Sequence, residues 1–143
     1  MDVNKLIDAL DNENNEKILN LTTKKIKEMN MKILMELSLS REKLISITKK
    51  LHGYRYVDEV DELKCGTYLK WILLTDPNPD NLELNKGALF CEIKCKDDGI
   101  FIVCKNIGFS SRHFQIKMDE CLLFQKLTTQ ELILLSALDH LST

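Results

Sequence analysis

Apolar residues recur at helical spacing through the first fifty positions and in alternation through most of the rest, and the boundary lies at Gly53. Leu6, Ile7 and Leu10 form a short stripe after Asp2, which the polar run Asp11-Asn12-Glu13-Asn14-Asn15 interrupts before a second short turn over 16–21. Thr22 or Thr23 caps a longer helix whose apolar positions are Ile26, Met29, Ile33, Leu34 and Leu37. Ser38-Leu39-Ser40 ends it. Ser40 caps the next helix, with Glu42 in its first turn to complement the dipole, Leu44, Ile47 and Leu51 inward, and Gly53 as the stop.

From Tyr54 the pattern is extended. Tyr54-Arg55-Tyr56-Val57 and a strand over 66–74 flank an acidic connection, 58–62, and Leu69, Trp71 and Leu73 face one way. Thr75 to Lys86, with Pro77 and Pro79, is a long loop expected at the rim of the sheet. Phe114, Ile116 and Met118 alternate inward against His113, Gln115, Lys117 and Asp119, and a bulge near Asp119 and Glu120 leads into 121–126. Thr128-Thr129-Gln130-Glu131 is a capping box, opening a helix with Leu132, Leu135, Leu138 and Leu141 on one side.

The stretch 87–105 reads as a hairpin. Asp98-Gly99 predicts a type I′ turn, which pairs Asp97 with Ile100, Cys95 with Ile102, Ile93 with Cys104 and Cys91 with Asn106. Leu89, Cys91, Ile93, Cys95, Ile100, Ile102 and Cys104 then form a core face. The opposite face carries Phe90, Glu92, Lys94, Lys96, Phe101, Val103 and Lys105, with Glu92 facing Lys105. Interleaved aromatic and basic residues define a candidate contact face of Phe90, Lys94, Lys96, Phe101, Val103 and Lys105, extended by Arg112. The other reading covers Phe101 and Val103 with a second layer and lays the lysine stems over them.

These elements predict an α+β fold: N-terminal helices packed on a small antiparallel, SH3-like β-barrel or curled sheet, closed by a C-terminal helix. Residues 1–53 form the helical lobe and residues 54–143 the barrel with its helix, together one compact unit.

Composition narrows the chemistry. At 143 residues and 44% hydrophobic content the chain can bury a core without a structural metal or disulfides. No apolar run is long enough to cross a membrane, and 1–17 lack the marks of a secretory signal, so an intracellular location is expected. Cys91, Cys95, Cys104 and Cys121 occupy strand positions suited to a small reduced hydrophobe. Cys91 and Cys95 would lie about 13 Å apart along a strand, too far to share a zinc ion, so no metal site is expected. The acidic connection lacks the ligand alternation and central glycine of a calcium loop.

The net charge of −2 divides into +2 over residues 1–50 and −4 over residues 51–143, which does not announce a protein that binds by phosphate neutralisation alone. Lys24, Lys25, Lys27 and Lys32 form a basic stripe broken by Glu28 and Glu36. His52, His113 and His140 fit no metal-ligating or catalytic spacing, and phosphate-loop and nucleophile-elbow motifs are absent. Cys121 with His113 would need the chain to fold back, and Ser110-Ser111-Arg112-His113 is either an anion-holding turn or a polar loop. No catalytic residue and no cofactor is expected.

The segments GYRYVDEVDELKCGTYLKWI (53–72) and FQKLTTQELILLSALDHL (124–141) resemble small uncharacterised proteins of nucleocytoplasmic large DNA viruses. That resemblance implies a viral, intracellular setting in the host cytoplasm, viral factory or virion, and carries over no functional residue. The expected function is a non-enzymatic viral binding or structural module that acts through a protein partner or self-association. The alternative is a nucleic-acid-binding small barrel using the hairpin face.

Overall fold

The computed structural model describes residues 2–106, 108 and 112–142. Its elements are α1 (Val3–Asp11), a 3₁₀ segment (Glu13–Asn20), α2 (Thr23–Met35), α3 (Arg41–Lys50), β1 (Tyr54–Val57), β2 (Tyr68–Leu73), β3 (Ala88–Lys96), β4 (Gly99–Lys105), β5 (His113–Lys117), β6 (Cys121–Lys126) and α4 (Thr129–Leu141). Side-chain oxygens of Asp2, Thr22, Ser40 and Thr128 accept the free amides at the four α-helix starts. Thr22 is therefore the cap of α2. Thr23 binds Asp139 instead, through its amide at 2.8 Å and its hydroxyl at 2.6 Å, and so ties α2 to α4.

The six strands run in the order β1-β6-β2-β3-β4-β5, all neighbours antiparallel. This is α+β, with an open sheet in place of a closed SH3-like barrel, because β1 and β5 stand at opposite edges. The sheet is nevertheless curled. Three steps of a flat sheet would hold the backbones of β2 and β5 about 14 Å apart. Yet the rings of Trp71 on β2 and Phe114 on β5 meet at 5.7 Å between centroids.

The hairpin departs from its expected register. Lys96 pairs with Gly99, Cys95 with Ile100 and Ile93 with Ile102, so Asp97 and Asp98 form the turn. Neither aspartate has positive φ, which rules out type I′, and the left-handed angle falls on Gly99 at φ 141°. A side chain at Gly99 would also come within 2.9 Å of Lys117 Cε. Farther along, a β-bulge between Phe90 and Glu92 shifts the phase, so Phe90 pairs with Cys104, and Lys105 faces Leu89 rather than Glu92. Main-chain bonds from Gly66 N to Phe90 O (2.9 Å) and Phe90 N to Thr67 O (2.8 Å) anchor that point to the start of β2.

Three clusters fill the interior. The concave face of the sheet buries Leu69, Trp71, Ala88, Phe90, Ile102, Cys104, Cys121 and Leu123, with Phe114, Ile116 and Met118 packed against them. The opposite face packs Ile72, Leu122 and Phe124 against Leu34 of α2 and Ile47 of α3; Leu82 from the proline-containing loop joins this cluster. A third joins Ala9, Ile18 and Ile26 to Leu127, Leu134 and Leu135. Leu73, at the end of β2 on the same side as Leu69 and Trp71, is exposed, and Ile72 enters the helix-covered core on the other side. Between β5 and β6 a short 3₁₀ turn, Met118–Glu120, takes the place of the expected bulge.

Candidate binding surfaces

The hairpin face does not assemble as a platform. Phe90 lies in the concave core, because the bulge turns it inward, and Val103 is buried as well. Phe101 is half-buried beneath Lys96, whose Nζ stands 4.6 Å from the ring centroid and 2.9 Å from Gln115 Oε1. Lys94 faces Glu92 at 3.8 Å. Lys105 sits opposite His113, and Arg112 is exposed at the foot of β5, its carbonyl accepting from Asn106 N at 3.2 Å. Ser110 and Ser111 lie outside the described residues. Lys96 is thus engaged across the strands, as its long apolar stem allows, and Lys94 along its own strand.

The two sheet edges are treated differently. On β1, Asn30 of α2 donates from Nδ2 to Tyr54 O and accepts at Oδ1 from Tyr56 N, each at 2.9 Å, so its amide replaces a neighbouring strand. Asn30 is itself buried. On β5, pairing to β4 occupies one side, and among the described residues no backbone hydrogen bond joins the other side to another element. His113 and Gln115 are exposed there, and Phe114 and Ile116 are half-buried.

A second aromatic and basic surface lies on the helix-facing side at the β1 end. Tyr54 faces Lys126 across β1 and β6, and Lys126 lies one position beyond the Gln125–Leu69 pair of β6 and β2, beside Tyr68, so the three side chains form one cross-strand row. Lys126 Nζ stands 5.5 Å from the Tyr68 ring centroid. Lys70 Nζ stands 4.6 Å from that of Tyr54 and donates to Lys50 O at 2.9 Å. Burial holds the Lys70 ammonium below the usual lysine range, and the charges of Lys50 and Lys126 push it the same way. Burial raises the Tyr54 phenol, with a smaller contribution from Tyr68.

Beneath the opposite face of the same strands is a buried polar centre that hydrophobic periodicity does not reveal. Arg55 and Glu131 are 3% and 1% exposed. Glu131 Oε2 lies 3.3 Å from Lys64 Nζ and 3.7 Å from Arg55 Nε, while Arg55 Nη1 lies 3.6 Å from Glu62 Oε1. Two cations and two carboxylates balance. Arg55 Nε has no hydrogen-bond partner. Gln125, fully buried, accepts at Oε1 from Lys64 N (2.7 Å) and Thr67 Oγ1 (3.0 Å) and donates to Glu62 O (3.0 Å). Asn15 accepts from Lys64 Nζ at 3.1 Å and donates to Ala9 O and Gln130 Oε1.

Asn15, Lys64, Thr67 and Gln130 line a polar cleft of about 780 Å³ between the 3₁₀ segment, the β1–β2 connection and the start of α4. Each charge in the buried centre is matched from a different element, so the centre works as a latch that docks α4 and the N-terminal segment onto the sheet. Two signals in the sequence point to it: Gln125 interrupts the apolar run CLLFQK, and Glu131 is the acid of the capping box.

The remaining chemical candidates are dispersed. His113 pairs with Lys105 at the β5 edge, whereas buried Cys121 pairs with Leu73 on β2. Burial pushes the thiols of Cys104 and Cys121 up to about 12, the state of inert core residues. Cys95 is exposed at the hairpin end and Cys91 half-buried at the bulge, so the small-hydrophobe role belongs to Cys104 and Cys121. Among the described residues no group of three or more His, Cys, Asp or Glu side chains is placed to hold a metal ion, and no helix is long and apolar enough to cross a membrane. In the acidic connection, Glu59 and Asp61 pair with Lys17 at 3.1 and 3.5 Å. Compared with known proteins, the chain matches no family model, no curated protein and no solved structure.

Proposed function

We propose that this chain is a non-enzymatic binding module that acts through protein contacts, with the free edge of β5 receiving a strand from its partner. The observation that carries the reading is the difference between the two edges: β1 is sealed by Asn30, whereas among the described residues no backbone hydrogen bond joins the outer side of β5 to another element. An exposed strand edge is a template for another chain, and strand addition gains affinity from main-chain hydrogen bonds while alternate side chains supply selectivity. His113 and Gln115 on one side and Phe114 and Ile116 on the other provide such an alternation. The viral setting implied by the resemblance belongs to the same proposal.

The nucleic-acid reading of the hairpin has less support, because two of its contact residues, Phe90 and Val103, are buried. Hydrogen exchange on the full chain, alone and with the protein that copurifies with it or with a second copy, tests the proposal. Slowed exchange over 113–117 in the complex is the expected result. A strictly monomeric chain that recovers no partner, or protection confined to other elements, would overturn it.

A further inference from the structure

In the Tyr54-Lys126-Tyr68 row the cations stand beside aromatic rings rather than carboxylates. Among the described residues Lys49, Lys50, Lys70 and Lys126 form no ion pair. The nearby ammonium groups instead rest on tyrosine rings and on a main-chain carbonyl. Like charges held together on a surface are relieved by an anion. Lys49 and Lys50 close the last turn of α3, so the end of that helix extends the cationic strip beyond the sheet.

We propose that this row, with Lys70 and the end of α3, is a binding site for single-stranded nucleic acid. The lysines take phosphates, and the exposed ring of Tyr68 takes a base once the ammonium group beside it moves away, with half-buried Tyr54 lining the site. Aromatic side chains on a sheet face combined with flanking cations are the physical requirement for sequence-tolerant single-strand binding. Base faces in a duplex are already stacked and have no access to a ring lying on a sheet. An acidic peptide would use the lysines and leave the rings idle. The row is on the β1 side of the sheet, away from β5, so the site stands or falls separately from the protein contact proposed above.

Fluorescence anisotropy of the full chain with a labelled mixed-sequence single-stranded oligonucleotide is the test. Binding at low salt is expected, with log Kd rising against log salt at a slope of about 3 for four lysine contacts. Tyr68→Ala should weaken binding about 5- to 100-fold, Tyr68→Phe should restore most of it, and Lys126→Ala should lower both affinity and salt slope. Lys94→Ala with Lys96→Ala on the hairpin should change nothing. Circular dichroism of each variant checks that the sheet is intact, and Tyr68→Phe keeps the test valid if the alanine variant fails to fold. Absence of binding at low salt overturns the proposal. So does binding that is indifferent to Tyr68, that is matched by poly-glutamate, or that is lost with the hairpin lysines.

Discussion

The two ends of the sheet solve the same problem in opposite ways. At the β1 end a buried asparagine satisfies the outer strand, and a balanced cluster of Arg55, Glu62, Lys64 and Glu131 holds the covering helix in place. At the β5 end, among the described residues, no backbone hydrogen bond joins the outer side of the strand to another element, while hairpin residues Lys96 and Lys94 contact Gln115 and Glu92. Polar groups buried at high cost are concentrated where the fold must stay shut. The difference separates a structural end from an end available for contact.

Removing the acid of the cluster should break that contrast most severely. Glu131→Ala leaves Arg55 and Lys64 without their shared carboxylate, and urea unfolding should show a loss of about 3–5 kcal/mol, with Glu131→Gln less damaging because it keeps the cap. Next, Asn30→Ala should cost about 2 kcal/mol by orphaning Tyr54 O and Tyr56 N, and it converts β1 into a second open edge. Light scattering should then detect association of a variant that the native chain does not match.

Alkaline pH acts on both halves of the sheet, through Cys104 on β4 and Cys121 on β6. A thiol with a folded pKa above its unfolded value keeps its proton longer in the folded chain. Its stabilisation is therefore complete below the unfolded value of 9.0 and is lost as pH rises toward about 12. Unfolding free energy should fall across that window by about 1.4 kcal/mol per pH unit for each thiol. At pH 8, Cys65 and Cys95 should react rapidly with a thiol reagent, while Cys104 and Cys121 react only on unfolding. The smallest effect is expected at Lys17, whose exposed pairing with Glu59 and Asp61 should leave the unfolding midpoint essentially unmoved in Lys17→Ala.

The legible parts of this fold were those with local causes. The capping box at Thr128 and Glu131 and the cap at Ser40 formed as their spacing requires, and the change from helical to alternating periodicity at Gly53 marks the start of β1. Helix faces were harder. In α2 the position expected of Met29 belongs to Asn30, and in α4 Leu132 and Leu141 are exposed while Glu131 and Leu134 are buried. In both helices the buried face includes a polar residue that is used on the sheet, and a rule that counts apolar positions turns such a helix the wrong way. The hairpin was found but its register was not, because the positive φ fell on Gly99 alone and the bulge depends on contacts with Thr67 and Gly66, more than twenty residues upstream. The tyrosine row escaped notice because it joins three strands and no two of its members are neighbours in sequence.

The bulge at Cys91 has a consequence for how this chain can vary. On its N-terminal side the even-numbered positions of β3, Ala88 and Phe90, point into the core; on its C-terminal side the odd-numbered ones, such as Ile93, do. One strand thus obeys two opposite rules of substitution, and the change of rule falls at a single residue. Deleting Cys91 would leave Phe90 and Ile93 two positions apart on the core face, whereas a deletion elsewhere, such as at Leu89, would turn one half of the strand away from the core, so one residue can be lost at the bulge and not at its neighbours.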